Sequence, residues 1–250
     1  LASLKELSVI VPEKLAEKNL SELYYNLELP LAQVLVGMEH NGVKIDRNYL
    51  NALNAELTER IDKITAEIYR QAGEEFNLNS PKQLGVVLFE KMGMPIIKKT
   101  KTGYSTSAEV LEQLKDYDIV GEILAYRQLA KLKSTYVEGL LNLADENDVI
   151  HTSFNQTITA TGRLSSTEPN LQNIPVKTEE GRRIREAFVA KKKGNLLLAC
   201  DYSQIELRVL AHMSEDEVLM ESFRNNEDIH ARTASEVFNV PMAEVTREQR

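Results

Sequence analysis

Apolar residues recur at intervals of three and four along two long stretches of this 250-residue chain. The first stretch begins after Asp46 and continues to about Gly73, and the second covers about residues 119–144. This period predicts amphipathic α-helices, each burying one stripe against a neighbouring helix. We therefore predict a helical region over about residues 30–150.

Start and stop signals predict further helices around these two. A helix is expected to end at Asn41–Gly42 and to be followed by a short extended piece. Ser80–Pro81 is typical of a helix start, and Thr106 with Glu109 predicts a capping box. The N-terminal stretch shows only one short helical turn, at about residues 21–25.

The period changes to two near residue 150, where "DVIHTSFNQ" predicts strands. The stretch "AFVAKKKGNLLLAC" predicts a hairpin around a basic turn, and "SQIELRVLAHMS" predicts a following helix. The fold class is therefore predicted to be α+β and multi-domain. A helical part is expected to precede a partial antiparallel sheet with helices on one face.

The predicted strand Leu196–Cys200 runs directly into the carboxylate of Asp201. A buried strand that ends in an acid is costly unless that acid has a partner such as a cation. Mg²⁺ takes oxygen ligands from one or two carboxylates, although a simple turn and helix cap explains Asp201 equally well. The single cysteine excludes an internal disulfide, and Cys200 is interpreted as a small buried apolar residue.

Composition argues against a membrane protein, and the distribution of charge bears on whether the partner is a nucleic acid. No apolar stretch approaches the roughly 20 residues of a membrane span, so no membrane partner is predicted. The net charge of −8 argues against a nucleic-acid partner. Phosphate binding depends, however, on local clusters of basic residues and not on the net charge. Each cluster taken alone is more typical of a solvated surface than of a binding site. The clusters are Lys98, Lys99 and Lys101; Arg127, Lys131 and Lys133; Arg182, Arg183 and Arg185; and Lys191 to Lys193.

Three polar features have an ordinary structural interpretation beside a functional one. Ser203 and Glu206 have the spacing of a capping box, and His230 stands in the first turns of a helix without zinc-type spacing. The stretch "TATGRLSSTEPNLQNIP" suits hydrogen bonds to sugars, phosphates and base edges. Its composition alone favours a turn-rich loop.

Two long motifs resemble the bacterial DNA polymerase I family, the A-family DNA polymerases. They are "TATGRLSSTEPNLQNIPVKTEEGRRIREAFV" and "DYSQIELRVLAHMSEDEVLMESFRNNEDIHARTASEVF". The shorter matches "MEHNGVKID", "NSPKQL" and "LAYRQLAKLKSTY" extend the resemblance over nearly the whole chain. It implies an exonuclease-like tail without its carboxylates at 1–27, a thumb at 28–150, a partial palm at 151–213 and the start of the fingers at 214–250.

The resemblance also implies an active site around Asp201, which would bind two catalytic Mg²⁺ ions with help from the Tyr202 carbonyl. Glu206 would complete the catalytic pair by blocking a ribose 2′-hydroxyl. The nucleotide-binding residues implied are Gln204, Glu206, His230 and Arg250. These residues would hold an incoming deoxynucleoside triphosphate (dNTP).

Primer–template DNA is the second partner implied by the resemblance. Arg163 would read the minor groove at the primer terminus. The full set of implied DNA-binding residues is Lys98, Lys99, Arg127, Lys131, Lys133, Arg163, Asn170, Gln172 and Asn173. Lys177 departs from the family, which often has arginine at that position, so the contact is weakened there.

The predicted function is template-directed DNA synthesis by a nucleotidyltransferase of replication and repair, in the cytoplasm with the nucleoid. The sequence ends one turn into a predicted helix that begins at Thr246 and Gln249. By the resemblance, it ends before the lysine and tyrosine of the fingers helix and before the second catalytic acid. It is therefore expected to be a fragment that is inactive without the remainder of the polymerase. The alternatives are a non-catalytic primer–template-binding module and a single-subunit RNA polymerase, against which Glu206 argues.

Overall fold

The computed structural model describes residues 2–101, 103–176 and 178–250. The chain forms two compact units, Leu1–Leu197 and Leu198–Arg250. Lys177, at which this chain differs from the family it resembles, lies outside the described residues. The predicted division into tail, thumb, palm and fingers has other boundaries and stays a prediction.

The first unit is mainly helical with three small antiparallel sheets, which confirms the α+β prediction. Its helices are α1 Ala2–Glu17, α2 Ser21–Leu23, α3 Leu29–Asn41, α4 Arg47–Ala72, α5 Pro81–Gly85, α6 Ala108–Glu112, α7 Asp118–Lys131, α8 Gly139–Leu143 and α9 Glu179–Glu186. Three π-helical segments, Tyr24–Glu28, Val86–Lys91 and Leu132–Glu138, and a 3₁₀ turn, Leu171–Asn173, adjoin them. The strands are β1 Val43–Ile45, β2 Lys99–Thr100, β3 Gly103–Tyr104, β4 Val149–Ile150, β5 Ser153–Asn155, β6 Ser165–Thr167 and β7 Phe188–Val189.

The second unit contains three short helices. They are α10 Ile205–Ser214, α11 Glu217–Arg224 and α12 Ile229–Phe238, followed by a 3₁₀ turn at Met242–Glu244. Across the described parts of both units, no helix is both long enough and apolar enough to span a membrane.

Helix α4 is the central helix of the core of the first unit, as its apolar stripe predicts. The Asp46 carboxylate accepts the Tyr49 N–H at 3.0 Å, and Gly73 ends the helix with a φ of +75°. Leu50, Leu53 and Leu57 are buried in a core cluster that also contains residues of α7, the π segment Leu132–Glu138 and α8. Burial of each such side chain stabilises the unit by about 1.5–3 kcal/mol.

The predicted long helix over about 119–144 is confirmed as one helical run, but it contains the π segment Leu132–Glu138 between α7 and α8. A π turn bonds residues five apart rather than four, so it inserts one extra residue into the helix. Apolar spacing does not reveal such an insertion. Its presence changes the direction in which side chains before and after it point.

Strand β1 lies in the centre of a three-stranded sheet, between β4 and β7, and both pairings are antiparallel. The turn into β1 depends on Gly42, whose φ is +58°. A Cβ at this position would lie 2.5 Å from the Ile150 carbonyl oxygen. Glycine is therefore required here both by backbone conformation and by the close approach of β4.

We expect Gly42→Ala to lower the free energy of unfolding by at least about 3 kcal/mol, because it combines a strained backbone with a clash. Urea unfolding followed by circular dichroism measures this change. Gly37→Ala is the matched control, since Gly37 lies inside α3 with nothing within 4 Å of its Cβ position. That control is expected to gain about 0.5–1 kcal/mol, and equal effects of the two changes would refute the structural role of Gly42.

Several sequence predictions are wrong. The helix α1 was not predicted, and Ser107, not Thr106, precedes α6 without a side-chain cap. The hairpin over 187–200 is absent: β7 pairs with β1, and Leu196–Cys200 forms no strand. Its leucines are exposed, with 92% and 89% of Leu196 and Leu198 in solvent, and Cys200 is exposed too. A strand forms only against a partner edge, and the two-residue β7 is too short to align this segment.

Candidate active site and nucleic-acid interface

Asp201 stands in an irregular segment just before α10, with its side chain exposed. It makes no hydrogen bond or ion pair with any described residue. Its neighbour Tyr202 is also exposed. The buried acid expected from the sequence is therefore a solvent-facing acid that is open to a ligand.

The fit to Mg²⁺ can be judged from the oxygen donors near Asp201. A carboxylate and the adjacent Tyr202 carbonyl are hard donors of the kind that Mg²⁺ prefers, with water and phosphate supplying the rest. Among the described residues, no group of three His, Cys, Asp or Glu side chains could enclose a metal ion. The donors thus fit a Mg²⁺ site that is shared with a phosphate ligand, and they do not form a closed metal cage.

Glu206 lies exposed in the first turn of α10. Gln204, with a φ of +53°, occupies the N-cap position and makes no side-chain cap. The interpretation of Ser203 and Glu206 as a capping box is therefore wrong. The Ser203 carbonyl instead accepts the Arg208 Nε at 2.9 Å.

Asp228 brings together the two residues predicted to contact a triphosphate. One of its carboxylate oxygens accepts the His230 N–H at 3.0 Å as the N-cap of α12, and the other accepts Arg250 Nε at 2.6 Å. The Arg250 guanidinium holds the pKa of Asp228 below its usual range. Thr246 and Gln249 form the predicted reciprocal capping box beside Arg250.

The polar loop over 159–175 uses several of its amides to hold its own shape. Asn170 Oδ1 accepts the Gln172 N–H at 3.0 Å, and Gln172 Nε2 donates to the Leu164 carbonyl at 3.3 Å. The buried Thr152 hydroxyl donates to the Pro169 carbonyl at 2.8 Å. The turn-rich loop that composition favours is thus present.

Three predicted DNA-binding residues meet around one cavity of about 330 Å³ in the first unit. Lys131 comes from the end of α7, while Asn170 and Asn173 come from the polar loop. The Tyr136 hydroxyl donates to the Asn173 carbonyl across the same cavity. Residues about 40 positions apart in sequence therefore meet around one cavity, which carries the positive charge of Lys131 on a largely apolar lining.

Strands β2 and β3, with Lys98 and Lys101, form what we call the basic hairpin. Lys98, Lys99 and Lys101 are exposed on it. A groove of about 930 Å³ lies between the basic hairpin, α5 and α7, with Arg127 on its wall. Lys133 differs from these lysines because it is only 22% exposed and pairs with Glu138 at 2.5 Å.

A polar network fixes α9 on α4, and no pattern in the sequence indicates it. Arg183 binds both oxygens of Glu56 at 2.6 and 2.7 Å, and Arg60 pairs with Glu180 at 3.1 Å. Arg183 lowers the pKa of the Glu56 carboxyl. One arginine of the cluster at 182–185 is therefore structural, while Arg182 and Arg185 remain exposed.

This network predicts a pH dependence of stability. The lowered pKa of Glu56 means that its contribution is complete above about pH 4.5, the usual pKa of a glutamate, and is lost as the pH falls through the folded-state pKa. Urea unfolding at pH 7, 5, 4 and 3 should show the loss below pH 5. Glu56→Gln and Arg183→Gln are both expected to flatten that part of the profile, and an unchanged slope in both variants would contradict the assignment.

Comparison with known proteins shows the family of this chain. A profile described as DNA polymerase family A matches residues 47–250. DNA polymerase I of Bacillus subtilis (strain 168) is 56% identical over 240 residues, which cover 95% of this chain and 27% of that protein. DNA polymerase I of Geobacillus stearothermophilus is 54% identical with the same coverage. The chain thus spans about a quarter of the length of these curated relatives.

A solved structure is similar over almost the entire chain. It is the POL domain of Pol1 from M. smegmatis in complex with DNA primer-template and dNTP, with a TM-score of 0.90 and 45% sequence identity. The match covers 99% of this chain and 44% of that one.

Proposed function

This chain belongs to DNA polymerase family A, and from that premise we propose that it serves template-directed DNA synthesis. The reaction joins a deoxynucleotide to the 3′-hydroxyl of a primer and releases pyrophosphate. The activity would then act on the DNA of the nucleoid, in the cytoplasm. In this proposal residues 28–150 act as a thumb, 151–213 as part of a palm and 214–250 as the start of the fingers, after an N-terminal tail at 1–27.

The observation that carries the proposal is the exposed Asp201 carboxylate, which has no partner among the described residues. Asp201 and the Tyr202 carbonyl would hold two Mg²⁺ ions, which lower the pKa of the primer hydroxyl and neutralise the leaving pyrophosphate. A carboxylate already paired with lysine or arginine would have to break that pair first. Asp201 requires no such exchange.

The other residues of the second unit would position the nucleotide. Glu206 in the first turn of α10 would occupy the space of a ribose 2′-hydroxyl, with Gln204 beside the new base pair. His230 and Arg250 would bind the triphosphate, and Arg250 would leave Asp228 to do so. The Arg250 guanidinium would exchange the Asp228 carboxylate for a phosphate, so it would keep an anionic partner.

The first unit would bind primer–template DNA. Lys131, Asn170 and Asn173 around their shared cavity would contact the duplex backbone, and Lys98 and Lys99 would do so from the basic hairpin. Lys133 would have to leave Glu138 to contact the duplex, while Arg163 and Gln172 would lie near the primer terminus. Phosphate contacts of this type release counterions and make binding strongly salt-dependent.

A second candidate is a primer–template-binding module without chemistry of its own. It is favoured by the lack of a three-residue acidic or metal-ligating group among the described residues. Two metal ions need a second acid beside Asp201 to fix their separation. The two candidates differ in whether extension accompanies binding.

Primer extension tests the proposal. The segment of the Bacillus subtilis relative that aligns with this chain is replaced by these residues, and extension is measured with Mg²⁺ and all four dNTPs. We expect template-directed extension by the chimera. A chimera that binds primer–template DNA but never extends it would favour the module instead.

Salt dependence tests the DNA contacts of the isolated 250-residue chain. We expect Lys131→Gln to reduce the slope of log K against log salt concentration by about one unit, because one phosphate contact is lost. Fluorescence anisotropy with a labelled primer–template between 50 and 300 mM salt measures the slope. Lys63→Gln is the control, since Lys63 pairs with Glu59 on the exposed face of α4. Equal slopes for the wild type and Lys131→Gln would remove Lys131 from the interface.

A further inference from the structure

Arg127 uses its guanidinium to hold a single residue, Thr106. The guanidinium donates from Nη1 to the Thr106 carbonyl and from Nη2 to the Thr106 hydroxyl, the latter at 3.2 Å. Thr106 is only 5% exposed and follows β3 by two residues. The arginine on α7 therefore fixes the chain where it leaves the basic hairpin.

The environment of Arg127 is unusual for a phosphate-binding arginine. Its side chain is partly buried, and this burial lowers the pKa of Arg127. Its partners are neutral, and no carboxylate of the described residues pairs with it. A planar guanidinium that binds a carbonyl and a hydroxyl together fixes geometry, which the point charge of a lysine does not reproduce.

The basic hairpin has a second attachment, through Tyr104, which lines the same groove as Arg127. A Cβ on Gly85 would lie 3.1 Å from the Tyr104 Cβ, so Tyr104 packs directly on the end of α5. The Tyr104 ring also packs on Phe89, with ring centroids 5.2 Å apart. Tyr104 attaches the hairpin through apolar contact, and Arg127 supplies the polar attachment next to it.

We propose that Arg127 is a positioning residue of the DNA interface: it fixes the basic hairpin so that Lys98, Lys99 and Lys101 face the duplex, and it is not itself a phosphate ligand. The part of this assignment that concerns DNA rests on the proposed function. The part that concerns the hairpin does not, because the attachment exists without DNA.

Hydrogen exchange without DNA tests the attachment in the 250-residue chain. We expect Arg127→Lys and Arg127→Gln to speed amide exchange in β2, β3 and Ser105–Ser107 about tenfold or more. Both changes remove the pair of hydrogen bonds from the guanidinium to Thr106. Thr106→Val, which removes only the hydroxyl, should give a smaller increase in the same amides. Lys131→Gln, one helical turn later on α7, should leave them unchanged. Thermal unfolding confirms that each variant is folded, and unaltered exchange in both Arg127 variants would overturn the proposal.

DNA affinity distinguishes positioning from direct contact. We expect Arg127→Lys and Arg127→Gln to weaken primer–template binding equally, by about tenfold, although the lysine keeps the charge. Adding Thr106→Val to Arg127→Lys should cause no further loss, as the two changes break one interaction. Wild-type affinity in Arg127→Lys together with weak binding in Arg127→Gln would show a direct phosphate contact and refute positioning. If the wild type fails to bind DNA, the proposed function fails, while the exchange result still decides the attachment.

Discussion

Asp201→Ala is expected to lower the rate of nucleotide incorporation by about 10³-fold or more in a polymerase that carries these residues. The side chain would supply the charge that holds both metal ions, and electrostatic groups of this kind contribute several kcal/mol to the transition state. Primer–template affinity should stay within about twofold of the wild type, because the proposed DNA contacts lie on other residues. Single-turnover incorporation and anisotropy binding measure the two quantities separately.

The environment of Asp201 allows an effect on catalysis to be separated from an effect on stability. The carboxylate is exposed and has no partner among the described residues, so its removal should change the free energy of unfolding by no more than about 0.5 kcal/mol. Glu244→Gln, an exposed acid of the same unit, is the matched control and should retain incorporation. Near-normal incorporation by Asp201→Ala would eliminate the two-metal assignment.

Glu206→Ala is expected to admit ribonucleotides, reducing the discrimination between dNTP and rNTP by about 100-fold or more. A site excludes one additional hydroxyl strongly only when a fixed group occupies its position, and Glu206 would be that group. The readout is the ratio of kcat/KM for the two sugars. A general loss of folded protein lowers both values together and leaves the ratio unchanged.

Glu206→Gln separates the bulk of the side chain from its charge. If volume excludes the hydroxyl, glutamine should keep most of the sugar discrimination that alanine loses. If the charge repels the nucleotide, the two variants should behave alike. Unchanged discrimination in Glu206→Ala would remove Glu206 from the nucleotide site and reopen the ribonucleotide alternative.

Local signals predicted much of the helical part of this protein. The cap of Asp46 on Tyr49 and the left-handed Gly73 depend on residues within one turn, so the ends of α4 follow from the sequence. The same holds for Gly42 at the end of α3. These features need no knowledge of the partner elements.

Strands and polar networks depend on residues far apart in the chain, and for these features prediction from the sequence was wrong or incomplete. Whether Leu196–Cys200 becomes a strand depends on an edge that its own residues do not specify. Arg183 and Glu56 are separated by 127 positions, and Arg127 and Thr106 by 21. A basic cluster in the sequence therefore does not show which arginine is free for phosphate and which is engaged within the fold.

The π segment Leu132–Glu138 has a consequence for the evolution of chain length. Deleting one residue within it would restore ordinary α-helical bonding, so the helix itself would survive the loss. Every following side chain on α8 would then rotate by about 100° relative to α7, and Leu140 would leave the core in which it is 1% exposed. An insertion or deletion here is thus harmless to secondary structure and severe for packing. We expect homologous chains to keep the number of residues in this segment constant even where the residues themselves change.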